Sequence, residues 1–280
     1  MTKIKKGDIV ARISYNKDIL FEVIKILDTT HNSTALLKGI TIRIIADSPI
    51  SDLEIVKKKQ IETNLRSLEY KLEERINHNN LDFEKKKQFF KRNSLNSSLS
   101  QTGTILHLDG DKKYSQKSAR YYNAIGLNAI VKNIPEFKQP AMVLSLLERY
   151  KPDILVITGH DGMIKSGTHY HDIGNYRNSK YFISTVKEAR KWINAGNELV
   201  IFAGACQSFF EAIIESGANF ASSPGRILID FMDPLVVAEK VAITDSNKYI
   251  SIKDIEHDLR DGIKAINGIG AMGKRKKIEL

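Results

Sequence analysis

The sequence predicts an α/β protein in which a mostly parallel sheet with flanking helices follows a small β-barrel and a helical connector. Three observations support this fold class. Short β-branched runs fill the first 56 residues, a highly charged stretch follows them, and apolar runs alternate with helical patterns after Gly103. A chain of 280 residues is long enough for one small and one medium domain.

The first predicted unit, residues 1–56, reads as several short strands joined by polar turns. The runs "DIVARISY", "ILFEVIKIL", "TALLKGI" and "RIIADSPISDLEIV" are separated by turn-forming segments such as "NKD" and "DTTHNS". This pattern is typical of a small antiparallel barrel of the SH3-like kind. Neither an aromatic cluster nor a basic stripe identifies a ligand for it.

The second predicted unit, residues 57–102, reads as a charged helical connector followed by an exposed linker. Ile61, Leu65, Leu68 and Leu72 recur at helical spacing, and charged residues occupy the other faces. The Ser- and Asn-rich stretch "FFKRNSLNSSLSQTG" then predicts a linker and a domain boundary.

The third predicted unit, residues 103–280, alternates strands and helices. The apolar runs are "TILHLDGD", "NAIVKNI", "DILVITGHDG" and "ELVIFAGACQS". Between them, Val143, Leu146, Leu147 and Tyr150 share one helical face, and a second helix is expected over about residues 181–195. This order predicts right-handed crossovers and a parallel sheet that is covered on both faces.

Composition excludes several classes of protein. No apolar run reaches the length of a membrane span, and the basic start lacks the apolar core of a secretory signal, so we expect a cytosolic protein without membrane contact. A single cysteine cannot form an internal disulfide and makes a thiolate zinc site improbable. His169 and His171 are expected to be a surface loop pair. We therefore predict neither a metal nor a cofactor.

The residues with the clearest chemistry stand at two predicted strand ends. "DILVITGHDG" ends in His160, and "ELVIFAGACQS" ends in Cys206. In an open parallel sheet ligands bind beyond the carboxyl ends of the strands, where neighbouring backbones lie about 5 Å apart. A thiol and an imidazole so placed would form the dyad that thiol catalysis requires.

Two further features were expected to assist this dyad. Ser208 and Glu211 form an S-x-x-E capping box, which predicts a helix that starts just after Cys206 and lowers the pKa of its thiol. The amides near Asp161, Gly162 and Cys206 could form an oxyanion hole. Asp161 could also orient His160, although a dyad without a third member is the simpler assignment.

The two motifs together resemble known cysteine peptidases. A strand that ends in His, followed 46 positions later by a strand that ends in Ala-Cys, is similar to the caspase, clostripain, gingipain and legumain clan. The barrel-like start, "LHLDGD", "ITGHDG" and "FAGACQS" together resemble the YabG family of sporulation-specific peptidases of spore-forming Firmicutes. The resemblance implies a caspase-like (clan CD) sheet and a thiol endopeptidase that cleaves spore coat and cortex-associated precursor proteins after Arg. It also implies a location in the sporulating cell at the forming spore coat.

The chain departs from the clan at two positions. Asp161 separates His160 from Gly162, and Gly204 stands where clostripain carries the acid that binds the substrate's Arg. The candidates for this acid are therefore Asp109 and Asp111 at the end of the first strand of the parallel sheet, with Asp230 or Asp233 as second choices.

This interpretation has one corollary, self-cleavage, and two alternatives, which are a scaffold without catalysis and a small-molecule hydrolase or ligand-binding domain on the same parallel sheet. The exposed linker suggests self-cleavage after Arg92. A net charge of +10, much of it in the connector, is also compatible with a scaffold that binds nucleic acid or an anionic spore polymer without catalysis. Because that charge is expected on a solvated helix face, a nucleic-acid partner is not favoured.

Overall fold

The computed structural model describes residues 4–28, 33–93, 100–164, 169–192 and 198–277. It is a mixed α/β protein with a five-stranded antiparallel sheet and a six-stranded, mostly parallel sheet. Within these ranges, no helix combines the length and the apolar character that crossing a membrane would need.

The antiparallel sheet is formed by the first part of the chain, as the alternating runs predict. Its strands lie in the order β4-β3-β2-β1-β5. A register shift between Val23 and Lys25 interrupts the β2–β3 pairing, which is the site of a β-bulge or similar irregularity. Closure into an SH3-like barrel stays a prediction. The strands are β1 (Ile9–Arg12), β2 (Phe21–Asp28), β3 (Ser33–Gly39), β4 (Ile45–Pro49) and β5 (Leu53–Ile55).

The charged stretch forms one long helix, α1 (Lys58–Asn93). The predicted apolar stripe faces the protein, since Leu72 is fully buried and Ile61, Leu65 and Leu68 are partly buried. The helix reaches Asn93, so the start of the stretch predicted as linker is helical instead. Residues 94–99 of that stretch lie outside the described residues.

The parallel sheet has the order β13-β11-β10-β9-β7-β8. All neighbouring pairs are parallel except the edge pair β11–β13, which is antiparallel. The predicted neighbours, the strands before His160 and Cys206, are therefore adjacent. The strands are β7 (Ile105–Asp109), β8 (Ala129–Asn133), β9 (Ile154–Thr158), β10 (Val200–Ala203), β11 (Phe220–Ser222) and β13 (Ile266–Gly268); the short strands β6 (Ser100–Gln101), β12 (Tyr249–Ile250), β14 (Ala271–Met272) and β15 (Lys276–Lys277) pair as β6–β15 and β12–β14.

Helices cover both faces of this sheet. The helix predicted over about residues 181–195 is shorter and ends at Ala189, and residues 193–195 of the predicted range lie outside the described residues. The buried residues of α3, α4 and α5 share one apolar cluster, which includes Val143 and Leu147 from the predicted face. Those of α2 and α6 share the other, which continues into the antiparallel sheet and α1. The helices are α2 (Lys112–Ala124), α3 (Gln139–Tyr150), α4 (Ser179–Ala189), α5 (Phe210–Glu215) and α6 (Asp233–Ile243).

Candidate active site

The two predicted strand tips meet at one edge of the sheet. Ala203 of β10 is paired with Ile157 of β9, and the Gly204 amide donates to the Ile157 carbonyl over 3.0 Å. Cys206 and His160 each follow the paired residue of their own strand by the same number of positions. The register therefore brings them to the same edge, as the sequence predicted.

Cys206 is completely buried. Its Sγ contacts the Ile229 carbonyl oxygen at 3.9 Å. Burial raises the pKa of the thiol to about 12, although backbone groups of Ile229 and Arg43 and the Arg43 charge act to lower it. In this conformation the cysteine is a neutral thiol at neutral pH.

The predicted capping box is wrong. Helix α5 starts at Phe210, and the Ser208 hydroxyl instead accepts the Ala205 amide and donates to Asp161 Oδ2. Glu211 forms an ion pair with Arg226. A six-residue helix that Ser208 does not cap offers little dipole, so the expected lowering of the Cys206 pKa is also wrong, and burial determines its direction.

His160 is buried on the neighbouring tip with its ring turned to the antiparallel sheet. Its Nε2 is 3.2 Å from the Gly39 carbonyl oxygen, and its Nδ1 is buried without a hydrogen-bond partner. The Tyr114 ring packs edge-on against it, with 5.8 Å between the ring centroids. Neither His160 nor Cys206 uses the other as its hydrogen-bond partner.

The charge state of His160 follows from this burial. Desolvation, helped by the charge of Lys38, lowers its pKa to about 3, whereas Asp111 acts to raise it. The imidazole is therefore neutral at neutral pH.

A pH dependence of stability follows from His160. Its pKa is about 3 in the folded chain and 6.5 for an unperturbed histidine side chain, so the unfolded state binds the proton first as the pH falls. This group should lower the free energy of unfolding between pH 6.5 and pH 3, by as much as about 4 kcal/mol. Urea unfolding of wild type and His160→Gln gives the free energy of unfolding of each protein at several pH values in this range. The difference between the two proteins measures the contribution of His160. Parallel pH profiles of the two proteins would contradict the assignment.

Asp161 is a structural anchor in this conformation and does not orient His160. Its carboxylate accepts the amides of Gly162 at 2.9 Å and Asn178 at 2.8 Å, and the hydroxyls of Ser179 and Ser208. Burial raises its pKa to about 6 against these hydrogen bonds. Of the predicted oxyanion amides, that of Gly162 is thus engaged by its own chain.

Asp109 lies fully buried at the last position of β7. Its Oδ2 is 2.8 Å from Arg43 Nη2, and the Thr158 hydroxyl donates to the same oxygen over 2.9 Å. Its Oδ1 accepts the Asp111 amide at 2.8 Å. Burial raises the pKa of this carboxyl, and the Arg43 guanidinium opposes that rise.

Asp111 is the N-cap of α2, where it accepts the amides of Lys113 and Tyr114. It also pairs with Lys38 of β3. Although burial alone would raise its pKa, the charges and hydrogen bonds of His160, Lys38 and Tyr114 bring it to about 2. Asp111 is thus an ionised cap whose partner is a lysine.

Asp230 and Asp233 form a separate cluster at the start of α6. The Asp233 carboxylate accepts the Asp230 amide at 3.0 Å, and Asp230 lies 3.9 Å from Arg260. Burial and the neighbouring Asp230 raise the pKa of Asp233 to about 7. In the described part of the chain their polar partners lie in this cluster and do not include Arg43.

Three residues at the site were not found from the sequence. Arg43 is fully buried and its guanidinium carbon lies 4.8 Å from the centre of the Tyr114 ring. Glu136 accepts the His160 amide at 2.7 Å. A lone arginine inside the apolar run "GITIRII" was the signal that could have revealed Arg43. Tyr114 and Glu136 carried no comparable signal.

His169 and His171 are exposed, and the His171 ring stacks edge-on to Phe209 at 6.3 Å. Within the described ranges, no three His, Cys, Asp or Glu side chains are grouped as metal ligands.

Comparison with known proteins identifies the family. A family profile described as YabG peptidase U57 matches residues 5–279. The chain belongs to the YabG peptidase family. It is 39% identical to the sporulation-specific protease YabG of Bacillus subtilis (strain 168), over 95% of this chain and 94% of that relative. No solved structure is significantly similar to the chain. The chain is therefore a protease, as the motifs implied.

Proposed function

We propose that this peptidase is a cysteine endopeptidase that uses Cys206 and His160 to cleave proteins after arginine. The observation that carries the proposal is a buried arginine, Arg43, held by Asp109 at the sheet edge that also presents Cys206 and His160. An arginine seated beside a thiol and an imidazole is the arrangement that an Arg-specific thiol peptidase requires of its substrate.

The proposed chemistry follows the thiol route. His160 takes the proton of the Cys206 thiol as the sulfur attacks the scissile carbonyl carbon, and the resulting oxyanion is stabilised by backbone amides. When the C–N bond breaks, His160 returns the proton to the leaving amine and a thioester remains. Water then attacks the thioester with His160 as base, which releases the acid product and restores the thiol.

Asp109 is the proposed specificity residue. A buried carboxylate selects for a guanidinium, because a neutral side chain in its place would leave the buried negative charge without a partner. Asp111 is already paired with Lys38, and the cluster of Asp230 and Asp233 is occupied by Arg260. Among the four carboxylates predicted for this role, Asp109 is favoured because it is fully buried and ends β7, the neighbour of the strand that leads to His160.

Several finer features belong to the same proposal. They are a caspase-like arrangement of the parallel sheet, an SH3-like closure of the antiparallel sheet, spore coat and cortex-associated precursors as substrates, and self-processing after Arg92. The Arg92 side chain lies outside the described part of the structure. Membership in a peptidase family favours this reading over a basic scaffold without catalysis.

Mapping of cleavage sites tests the proposal. Purified protein is incubated with an unfolded protein substrate, and the new termini are identified by mass spectrometry. We expect nearly all cuts to follow Arg, with Lys far behind because an ammonium cannot form the bidentate contact of a guanidinium. Cuts that follow apolar residues would contradict the role of Asp109 as the residue that binds the substrate's arginine. The absence of any Cys206-dependent cut would overturn the thiol mechanism.

A further inference from the structure

The connection between β3 and β4 lies across the candidate active site. We call residues 39–45 the covering loop. The Gly39 carbonyl meets His160 Nε2 at 3.2 Å, and the Ile40 carbonyl accepts the Tyr114 hydroxyl at 3.2 Å. One segment of the antiparallel sheet thus contacts the imidazole and the aromatic ring beside it.

The backbone of the covering loop binds the tip of β9 as an added strand would. The Arg43 carbonyl accepts the Asp161 amide at 3.3 Å, and the Ile45 amide donates to the Asp161 carbonyl over 2.8 Å. Ile44 and Asp161 are consequently partners in a parallel bridge. Extended peptides bind many proteins by this main-chain pairing, which is independent of the side chains of the guest.

Gly162 shows how closely the loop approaches. A Cβ atom at this position would lie 2.1 Å from the Ile45 carbonyl oxygen, which is inside van der Waals contact. Only a glycine permits the backbones of the loop and the β9 tip to come together here. The same close approach would serve a bound substrate.

The side chain of Arg43 also lies where the proposal places the arginine of a bound substrate. It lies between Asp109 and the face of Tyr114. The Arg43 carbonyl accepts the amide of Asp161, which is one of the three amides proposed for the oxyanion hole. One residue of the covering loop therefore contacts both the proposed specificity acid and a proposed oxyanion amide.

We infer that the covering loop is a built-in inhibitor that occupies the active site as a substrate mimic, with Arg43 in the specificity pocket, so that the protein is latent until the loop withdraws. This inference rests on the proposed function, because it takes Asp109 as the residue that binds substrate arginine. It adds a regulation of that site.

The loop is bound in a form that resists cleavage. The Ile44 amide, the nitrogen that would leave, donates to the Ile42 carbonyl over 2.9 Å and closes a three-residue turn around Arg43. His160 Nε2 is engaged with the Gly39 carbonyl. A peptide bond whose leaving nitrogen is tied back into its own chain, next to an imidazole with another partner, is not aligned for proton transfer.

The binding of Arg43 at Asp109 is also reversible. The Nε and Nη1 groups of Arg43 are buried without hydrogen-bond partners, and Nη2 lies 2.8 Å from Asp109 Oδ2 as an ion pair without hydrogen-bond geometry. The bound state is therefore less favourable than one in which all donors are satisfied. Two ion pairs flank the loop, Lys38 with Asp111 and Arg177 with Asp47. A substrate arginine with better-satisfied donors could therefore displace Arg43.

The first test replaces Arg43. We expect Arg43→Ala to increase the rate of Cys206 alkylation by iodoacetamide at least about tenfold, because the charge-assisted contact that closes the site is lost. Hydrolysis of a small acyl-arginine amide should rise in parallel. Arg12→Ala is the matched control, because Arg12 lies over the Tyr15 ring of the same sheet. Equal alkylation rates in folded wild type and Arg43→Ala would overturn the inference.

The second test leaves Asp109 paired and so guards against misfolding of the first variant. Asp47→Asn removes the half-exposed partner of Arg177, and it should raise both rates by about two- to fivefold. Glu54→Gln breaks the similarly exposed pair with Lys17 elsewhere on the sheet and should change neither. A chain found cut between Arg43 and Ile44 in wild type but intact in Cys206→Ala would make the loop a substrate and overturn its role as an inhibitor.

These readouts separate the two proposals. Faster alkylation in Arg43→Ala without Cys206-dependent hydrolysis would keep the covering loop as a gate and reject the thiol peptidase. Cys206-dependent hydrolysis that is the same in wild type, Arg43→Ala and Asp47→Asn would keep the peptidase and reject latency.

Discussion

Cys206→Ala is expected to reduce hydrolysis of an acyl-arginine substrate at least about 1,000-fold, since no other group can form the thioester. The fold should survive, because the change removes one sulfur atom from a buried site where its hydrogen bond to the Ile229 carbonyl is long, at 3.9 Å. The measurement is kcat/KM in the wild-type and Arg43→Ala backgrounds, with thermal unfolding as the check on folding.

Cys206→Ser is the matched variant for this loss. A hydroxyl nearly preserves the side-chain volume and can donate to the same carbonyl, yet it is a much poorer nucleophile beside a neutral imidazole. It should lose activity as Ala does while matching the wild-type unfolding temperature. Substantial cleavage by the pure Ala variant would transfer the chemistry to another residue.

The parts of the site that follow from local sequence were predictable. Apolar runs of strand length, separated by crossover helices, determine that the tips of β9 and β10 are neighbours, and hence that His160 and Cys206 share an edge. Asp109 was predictable for the same reason, because it ends β7, the other neighbour of β9.

What failed depended on tertiary contacts. Ser208 resembles an N-cap in sequence, but the buried carboxylate of Asp161 competes for its hydroxyl and holds it before α5 begins. The Cys206 pKa was predicted to fall, and it rises because burial excludes water from the thiol. No local pattern reports that Arg43, over sixty positions before Asp109, is its partner.

Both reactive groups, the Cys206 thiol and the His160 imidazole, are neutral because they are buried. A thiol with a pKa of about 12 and an imidazole with a pKa of about 3 cannot exist as a thiolate–imidazolium pair at neutral pH. Withdrawal of the covering loop would admit water, which moves both values toward their ordinary ones and toward each other. Opening of the site and activation of the nucleophile are then one event.

Asp109→Asn is expected to have two opposite effects, and their combination is specific to a carboxylate that binds both Arg43 and a substrate arginine. Selectivity is measured as the ratio of kcat/KM for an arginine substrate to kcat/KM for its uncharged citrulline analogue. Loss of the buried charge should lower this ratio about 100-fold or more. The same loss of charge removes the ion pair that holds Arg43, so the alkylation rate of Cys206 should rise. A merely destabilising change would not lower selectivity while it exposed the thiol.

Asp111→Asn and Asp230→Asn are the controls for this double effect. Asn caps a helix as well as Asp does, so Asp111→Asn keeps the start of α2 and loses only the Lys38 pair. Asp230→Asn alters the Arg260 cluster at α6. Both should retain selectivity for arginine. If Asp230→Asn abolishes that selectivity and Asp109→Asn preserves it, the specificity pocket lies at the start of α6, and Arg43 does not mimic a substrate.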